Sequence, residues 1–256
     1  MSAEKVAFAI AVAIFAGGSI GLILQRALPE KYTTGGPRDM IGAVVGLLTL
    51  LSALVLGLLI WTAYGVYAGQ NMAVQTLASK VLHFDMALAD YGPEADPVRK
   101  QLRDGVGKTL DEVWAADQSD ANFAANNFAA ALRNLRARET LLGQLHPTTD
   151  VQTQALASAR ADLESLGQSR LQMSFALTAP ICFPLVFTVV AWVVFLFLGY
   201  GLMSKSSATS VLGVVIGSLA MASAFLMILD LSNPYSGIFR ASSAPLEQVL
   251  AVMGKE

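Results

Sequence analysis

Two histidines, one cysteine and a scatter of carboxylates are the residues of this 256-residue chain best suited to acid–base, nucleophilic or metal chemistry. Their spacing brings few of them together. His83 and Asp85 are two apart on a stretch that reads as helix, so they point to different faces. His146 precedes Pro147 and reads as a loop residue. Cys182 stands alone inside an apolar run, where a disulfide or a CxxC metal site is out of reach and a small packing role is expected. There is no HExxH, P-loop or GxSxG motif. The expectation is a protein that is not an enzyme and that uses no cofactor and no metal. The absence of a Lys/Arg run likewise argues against a nucleic-acid partner.

The placement of the charges is more informative than their chemistry. Only 14% of the residues are charged and mean hydropathy is +0.54, well above the usual soluble balance. Val6–Leu24, Met40–Ser79, Leu171–Ser204 and Ser206–Leu229 carry no charge at all. A hydrocarbon core of about 30 Å takes about 20 apolar residues of helix, so each stretch is long enough to span it. By contrast, 23 of the 36 charged residues lie between Lys80 and Arg170, which marks that segment as water-facing. The fold expected is an all-α integral membrane protein with four transmembrane helices and a helical insertion between the second and third. Its layout is residues 1–70 for the first two spans, 71–175 for the helical domain, 176–232 for the last two spans and 233–256 for a tail.

The first span, about Val6–Ala27, lacks an early A-x-A site and reads as an uncleaved helix. Its Gly17 and Gly21 form a small-xxx-small pair that lets another helix approach closely. Pro29, Gly35, Gly36 and Pro37 break the chain before the second helix starts near Asp39. The uncharged stretch from Met40 runs for 40 residues, about 60 Å of helix, with no proline before Pro93. One long helix leaving the bilayer and entering the soluble domain is expected. Further helices are expected over about Pro97–Trp114 and Asn122–Gly143, and from Val151 into the third span. That span, about Thr178–Leu202, carries Pro180 and Pro184 near its start, which predicts a kink or a broken first turn. The fourth covers about Ala208–Leu231, and a short amphipathic helix follows from about Pro245. Nothing alternates with period two over a useful length, so no sheet is expected.

Within the second helix two stripes run side by side. Gly42, Gly46, Ala53 and Gly57 are small and suited to close packing, as are Gly213 and Gly217 in the fourth span. Leu50, Leu54 and Leu58 repeat every four residues as an aliphatic ridge. The spans hold no charged residue except Asp230 near an end, which counts against a proton-driven transporter. It does not count against a pore lined by apolar side chains that gates by dewetting. The same ridge would serve equally for packing against helices or lipid. Four spans place both termini and the helical domain on one side. The basic flanks divide evenly, with Lys5, Lys80, Arg170 and Arg240 against Arg26, Lys31, Arg38 and Lys205.

Several of these residues carry a resemblance. Arg38-Asp39, the run Ser52–Leu58, the segment Tyr91–Ala95 and above all the tail Asn233–Leu246 are similar to bacterial membrane proteins of the bestrophin-like family. More distantly the layout resembles the bestrophins proper, pentameric anion channels with four spans, a large cytosolic helical insertion and a pore-lining second helix. Leu56-Gly57-Leu58 followed by Tyr64 resembles their neck, in which Gly-Phe is followed six residues later by Tyr. On that register the neck ring falls on Leu50, Leu54 and Leu58. Asn233-Pro234-Tyr235 resembles their Asn-Pro-Phe, but Ser236–Ser243 replaces the acidic cluster that follows it, so no calcium clasp is expected. Gly65-Val66-Tyr67 replaces the Trp-Trp signature, and the neck phenylalanines are leucines.

What the resemblance implies is a homo-oligomeric, pentameric ion channel of the bacterial inner membrane, conducting anions such as chloride. Its termini and helical domain would be cytoplasmic. Its partners would be the lipid bilayer, its own copies and the permeant ion. The alternative is a non-conducting membrane scaffold or sensor whose helical domain recruits a partner.

Overall fold

The computed structural model describes residues 3–29, 35–115, 123–178, 183–205, 207–232, 235 and 238–253, and their regular structure is entirely helical. In chain order the α-helices are α1 (Ala3–Ala27), α2 (Gly36–Tyr91), α3 (Asp96–Leu110), α4 (Phe123–Gly143), α5 (Asp150–Thr178), α6 (Phe183–Met203), α7 (Ala208–Leu231) and α8 (Ala244–Met253). Four of them, α1, α2, α6 and α7, are long and apolar enough to cross a membrane. The chain is a membrane protein, and α3, α4 and α5 separate its second and third apolar helices in sequence.

The 56 residues of α2 form one unbroken helix, as the lack of internal proline requires. Its end is built by the Tyr91–Ala95 motif. Gly92 adopts φ 111° and ψ −173°, a region open essentially to glycine, and Pro93–Ala95 then make a single 3-10 turn into α3. The stretch expected as one helix to Trp114 instead changes at Asp111, where a π-helical turn runs to Ala115. Pro184 sits in the first turn of α6, where a missing N–H costs nothing. Pro180, Cys182 and the expected join between α5 and α6 lie outside the described residues, as do Asn233 and Pro234.

Two compact units emerge from the packing. The first comprises residues 1–65 and 180–232. Here α1 lies along α6 and α7. The Gly17/Gly21 pair makes the approach to α6 possible. A Cβ added to Gly17 would sit 2.9 Å from both Cγ1 and the carbonyl oxygen of Val194, and one on Gly21 would sit 3.0 Å from the Cα of Gly201. On the other side of α1, Gly18 would meet Val214 of α7 at 2.6 Å. Backbone thus packs on backbone, the economical contact where lipid offers no hydrophobic drive between helices. Ser207 caps α7 by accepting the Ser210 N–H at 3.2 Å.

The second unit comprises residues 66–179 and 233–256. Its core takes Val74, Leu77, Val81, Phe84, Leu88 and Tyr91 from α2, one every three or four residues as a helix must present them. Leu102, Leu163, Met173, Leu246 and Met253 close over that face. The buried Asp85 carboxylate accepts two hydrogen bonds from Arg99, Nε to Oδ1 and Nη2 to Oδ2, both 3.0 Å. Lys80 Nζ donates to the Ser165 carbonyl at 3.1 Å and to the Ser169 hydroxyl at 2.7 Å.

Candidate functional site

Among the described residues His83 shares an open pocket with Asp90 and Asp162, and His146 does not line it. His83 is exposed on α2 while Asp85, two residues on, is buried against Arg99, so they face apart as helical geometry dictates. His146 is exposed in the turn after α4. Among the described residues no group of three or more His, Cys, Asp or Glu side chains is arranged to hold a metal ion.

A different kind of site appears along the first half of α2. Leu50 and Leu54 are 72% and 70% exposed, Leu58 57% and Trp61 73%. At 100° per residue they and Leu47 fall within a sector of about 80°. The opposite face carries Val45, Ser52, Leu56, Leu59 and Ala63, all buried. So the helix has one face packed on its own chain and one large apolar face with no partner among the described residues. Leu50 to Leu58 extends about 12 Å along the axis at 1.5 Å per residue. Two of the nearby hydroxyls bond back to their own helix, Thr49 Oγ1 to the Val45 carbonyl at 2.8 Å and Thr62 Oγ1 to that of Leu59 at 2.9 Å, while Ser52 Oγ on the buried face has no partner among the described residues. The ridge is therefore purely apolar.

The glycines of the small-residue stripes divide by environment. A Cβ on Gly42 would lie 3.2 Å from Met203 Cε, and one on Gly217 would lie 2.8 Å from the Phe197 ring. Gly46, Gly57 and Gly213 have open space in front of them within the chain.

The tail motif has a structural role that sequence reasoning did not assign. Tyr235 is fully buried, and its hydroxyl donates to Gln70 Oε1 at 2.8 Å. Its ring meets Trp114 edge-on with centroids 5.4 Å apart. Trp114 Nε1 donates to the Ala241 carbonyl at 2.8 Å, and Arg240 Nη2 returns a bond to the Trp114 carbonyl at 3.2 Å. Burial pushes the Tyr235 phenol well above its ordinary value of 10, against a smaller opposing pull from Arg170. The sequence signal was the Asn233–Leu246 resemblance, which does not by itself say what Tyr235 contacts.

With this geometry in place, relatives become informative. The family model described as Bestrophin-like domain matches residues 12–246. The chain belongs to the bestrophin-like family. Solved structures share the fold of this bestrophin-like chain at low sequence identity. One variant of a bacterial bestrophin homologue from Klebsiella pneumoniae aligns with TM-score 0.70 and 13% identity, over 97% of this chain and 99% of that one. A second variant of that homologue gives 0.65 and 13%, over 99% and 96%. A structure described only as a membrane protein gives 0.66 and 14%, over 96% and 99%. No curated protein matches the sequence. The likeness is one of fold over nearly full length.

Proposed function

We propose that this bestrophin-like protein is a homo-oligomeric ion channel, a pentamer, in which α2 lines the axis and Leu50, Leu54 and Leu58 form a hydrophobic neck. The observation that carries the reading is the unpartnered aliphatic face of α2. Of the most apolar 18 residues of each span, those of α2 are the least buried, at 22%. Lipid would tolerate such a face, but a ridge with a leucine every turn is also what a dewetting constriction needs. Gly46, Gly57 and Gly213, open within one chain, would receive neighbouring copies. Anion preference, with chloride as the first ion to try, rests on kinship with bestrophins, because the spans themselves offer no basic ring. The same kinship supports a bacterial inner-membrane location, with both termini and the residue 71–175 domain in the cytoplasm.

Cryo-electron microscopy of the full chain in lipid tests this directly. A ring of copies with Leu50, Leu54 and Leu58 facing a continuous axial path is the expected result. A dimer, or a ring with no axial path, refutes the channel and leaves the scaffold, whose helical domain would then be the working part.

A further inference from the structure

Trp61 ends the exposed apolar face of α2 and differs in kind from the leucines before it. In the sector of Leu47, Leu50, Leu54, Leu58 and Trp61, only the tryptophan carries a hydrogen-bonding group, an indole N–H that donates and cannot accept. At 73% it is the most exposed of the large apolar side chains of α2, and no described residue accepts from its N–H. Three residues beyond Leu58, it stands about 4.5 Å further along the helix axis. Gly65 follows one turn later on the same face, exposed and with open space in front of it. Trp61 is therefore the last bulky side chain before that face thins to a glycine.

Its depth matters as much as its face. Trp61 lies 22 residues beyond Asp39, which is about 33 Å of helix at 1.5 Å per residue. A hydrocarbon core of about 30 Å is crossed within that length, so the indole sits where apolar surroundings give way to water. An N–H left unpaired in hydrocarbon costs free energy, and tryptophan commonly escapes that cost by lying among the lipid headgroups. On the channel reading that outlet is closed. The face that carries Trp61 is the one that carries Leu50, Leu54 and Leu58, so the indole turns with them toward the axis and away from lipid. What remains to accept from the N–H is water or a passing anion.

We infer that Trp61 is a selectivity determinant of the proposed channel, its copies forming a ring of indole N–H donors for small monovalent anions at the Gly65 end of the neck. The inference rests on the channel reading above and supplies a polar contact where the spans offer no basic ring. A group that only donates meets an anion leaving the leucines with a hydrogen bond, and has nothing to offer a cation through that atom. The surroundings are apolar, which strengthens such a bond relative to one in water. An indole turned with its ring face inward would instead favour cations, so the sign of the preference is itself part of the test. Loss of the donor should lower the preference for chloride over sodium about tenfold, the scale of one hydrogen bond to a charged group.

The full-length protein in planar bilayers under a sodium chloride gradient gives a reversal potential, and from it the ratio of chloride to sodium permeability. The wild type should prefer chloride. Trp61→Phe should lower the ratio about tenfold with current retained, and Trp61→Tyr, which restores a donor, should keep most of the preference. A ratio unchanged in Trp61→Phe, or lowered equally in both variants, overturns the inference while the channel stands, as does a wild type that prefers sodium. A wild type that carries no current refutes the channel itself and the inference with it. Fluorescence gives a second readout that needs no current. The emission lost in Trp61→Phe should be quenched by aqueous iodide and spared by lipid brominated near the headgroups. Quenching by the brominated lipid instead would assign Trp61 to a lipid-facing belt and overturn the inference.

Discussion

Leu54 and Leu56 sit two residues apart on α2 and therefore on opposite faces, which allows conduction and stability to be perturbed separately. Leu56 is 8% exposed and packs inside the chain. Leucine-to-alanine truncation at such sites costs about 2–5 kcal/mol in soluble proteins, but part of that is transfer from water. In a bilayer the unfolded reference stays in lipid, so the packing part, about 1–3 kcal/mol, is what Leu56→Ala should lose. Leu54 is 70% exposed, and Leu54→Ala should change the stability of the isolated chain by no more than about 0.5 kcal/mol. On the proposed reading its effect falls on the neck. Truncation removes three carbons per copy, about 2 kcal/mol of apolar surface at about 0.8 kcal/mol each. A permeation barrier lowered by the equivalent of one such side chain raises ion flux about 30-fold. Liposome flux and thermal unfolding of both variants in the same lipid measure the two effects. The reasoning is refuted if Leu54→Ala melts as early as Leu56→Ala while flux stays at the wild-type level.

Three further outcomes follow from the described contacts. Asp85→Ala strips the acceptor from Arg99, and because that guanidinium is still 18% exposed the loss should fall near the lower end of the buried-pair range, about 3 kcal/mol; a melting shift no larger than that of an exposed carboxylate such as Glu139 would contradict the pair's role. Gly92→Val forces a branched side chain to φ 111°, at a cost of about 1–3 kcal/mol read as a lower unfolding midpoint, and a neutral effect would mean that the turn after α2 relaxes. Tyr235 supplies a pH test. Its folded pKa lies above its unfolded value of 10, so the unfolded state ionises first and this contribution to stability is complete below pH 10 and lost as pH rises beyond it. Tyr235→Phe should abolish that alkaline loss while lowering stability at neutral pH by about 1–3 kcal/mol, because Gln70 Oε1 is left without its donor; an unchanged alkaline slope would assign the loss to another group.

The spans were legible in the sequence because a bilayer imposes a length and an absence of charge that few other constraints imitate. The 56-residue α2 was legible for a related reason: 40 uncharged residues without proline exceed what one bilayer crossing uses. The Gly17/Gly21 approach to α6 was readable as small-residue spacing, since in lipid only close packing rewards it. Interior polar contacts were not readable. Asp85 and Arg99 lie 14 residues apart, and nothing in the sequence tells which of many charges in a water-facing segment turns inward. The burial of Arg138 is hidden by the same ambiguity, deepened because Arg133 and Arg136 beside it on α4 are not buried.

The aliphatic ridge presents the opposite problem. Periodicity predicts a face, and the fold leaves that face bare, but a bare apolar face is what both lipid and a symmetric neighbour require. What separates the two is the company the ridge keeps. A lipid-facing surface has no reason to alternate with glycines, because lipid chains fill any gap a side chain leaves. On α2, Gly46 and Gly57 flank the Leu50–Leu58 ridge, and on α7 Gly213 is equally open. Small residues that no described residue fills, set beside bulky ones that no described residue covers, have the relief that the proposed packing of α2 against copies of itself would use. In such an assembly the glycines would lie at the contacts and the leucines would be turned toward the axis. Bulky substitution at Gly46 should therefore disrupt assembly while leaving the α1–α6 packing of the single chain intact, a result that cross-linking and size-exclusion chromatography would read and that a purely lipid-facing α2 would not give.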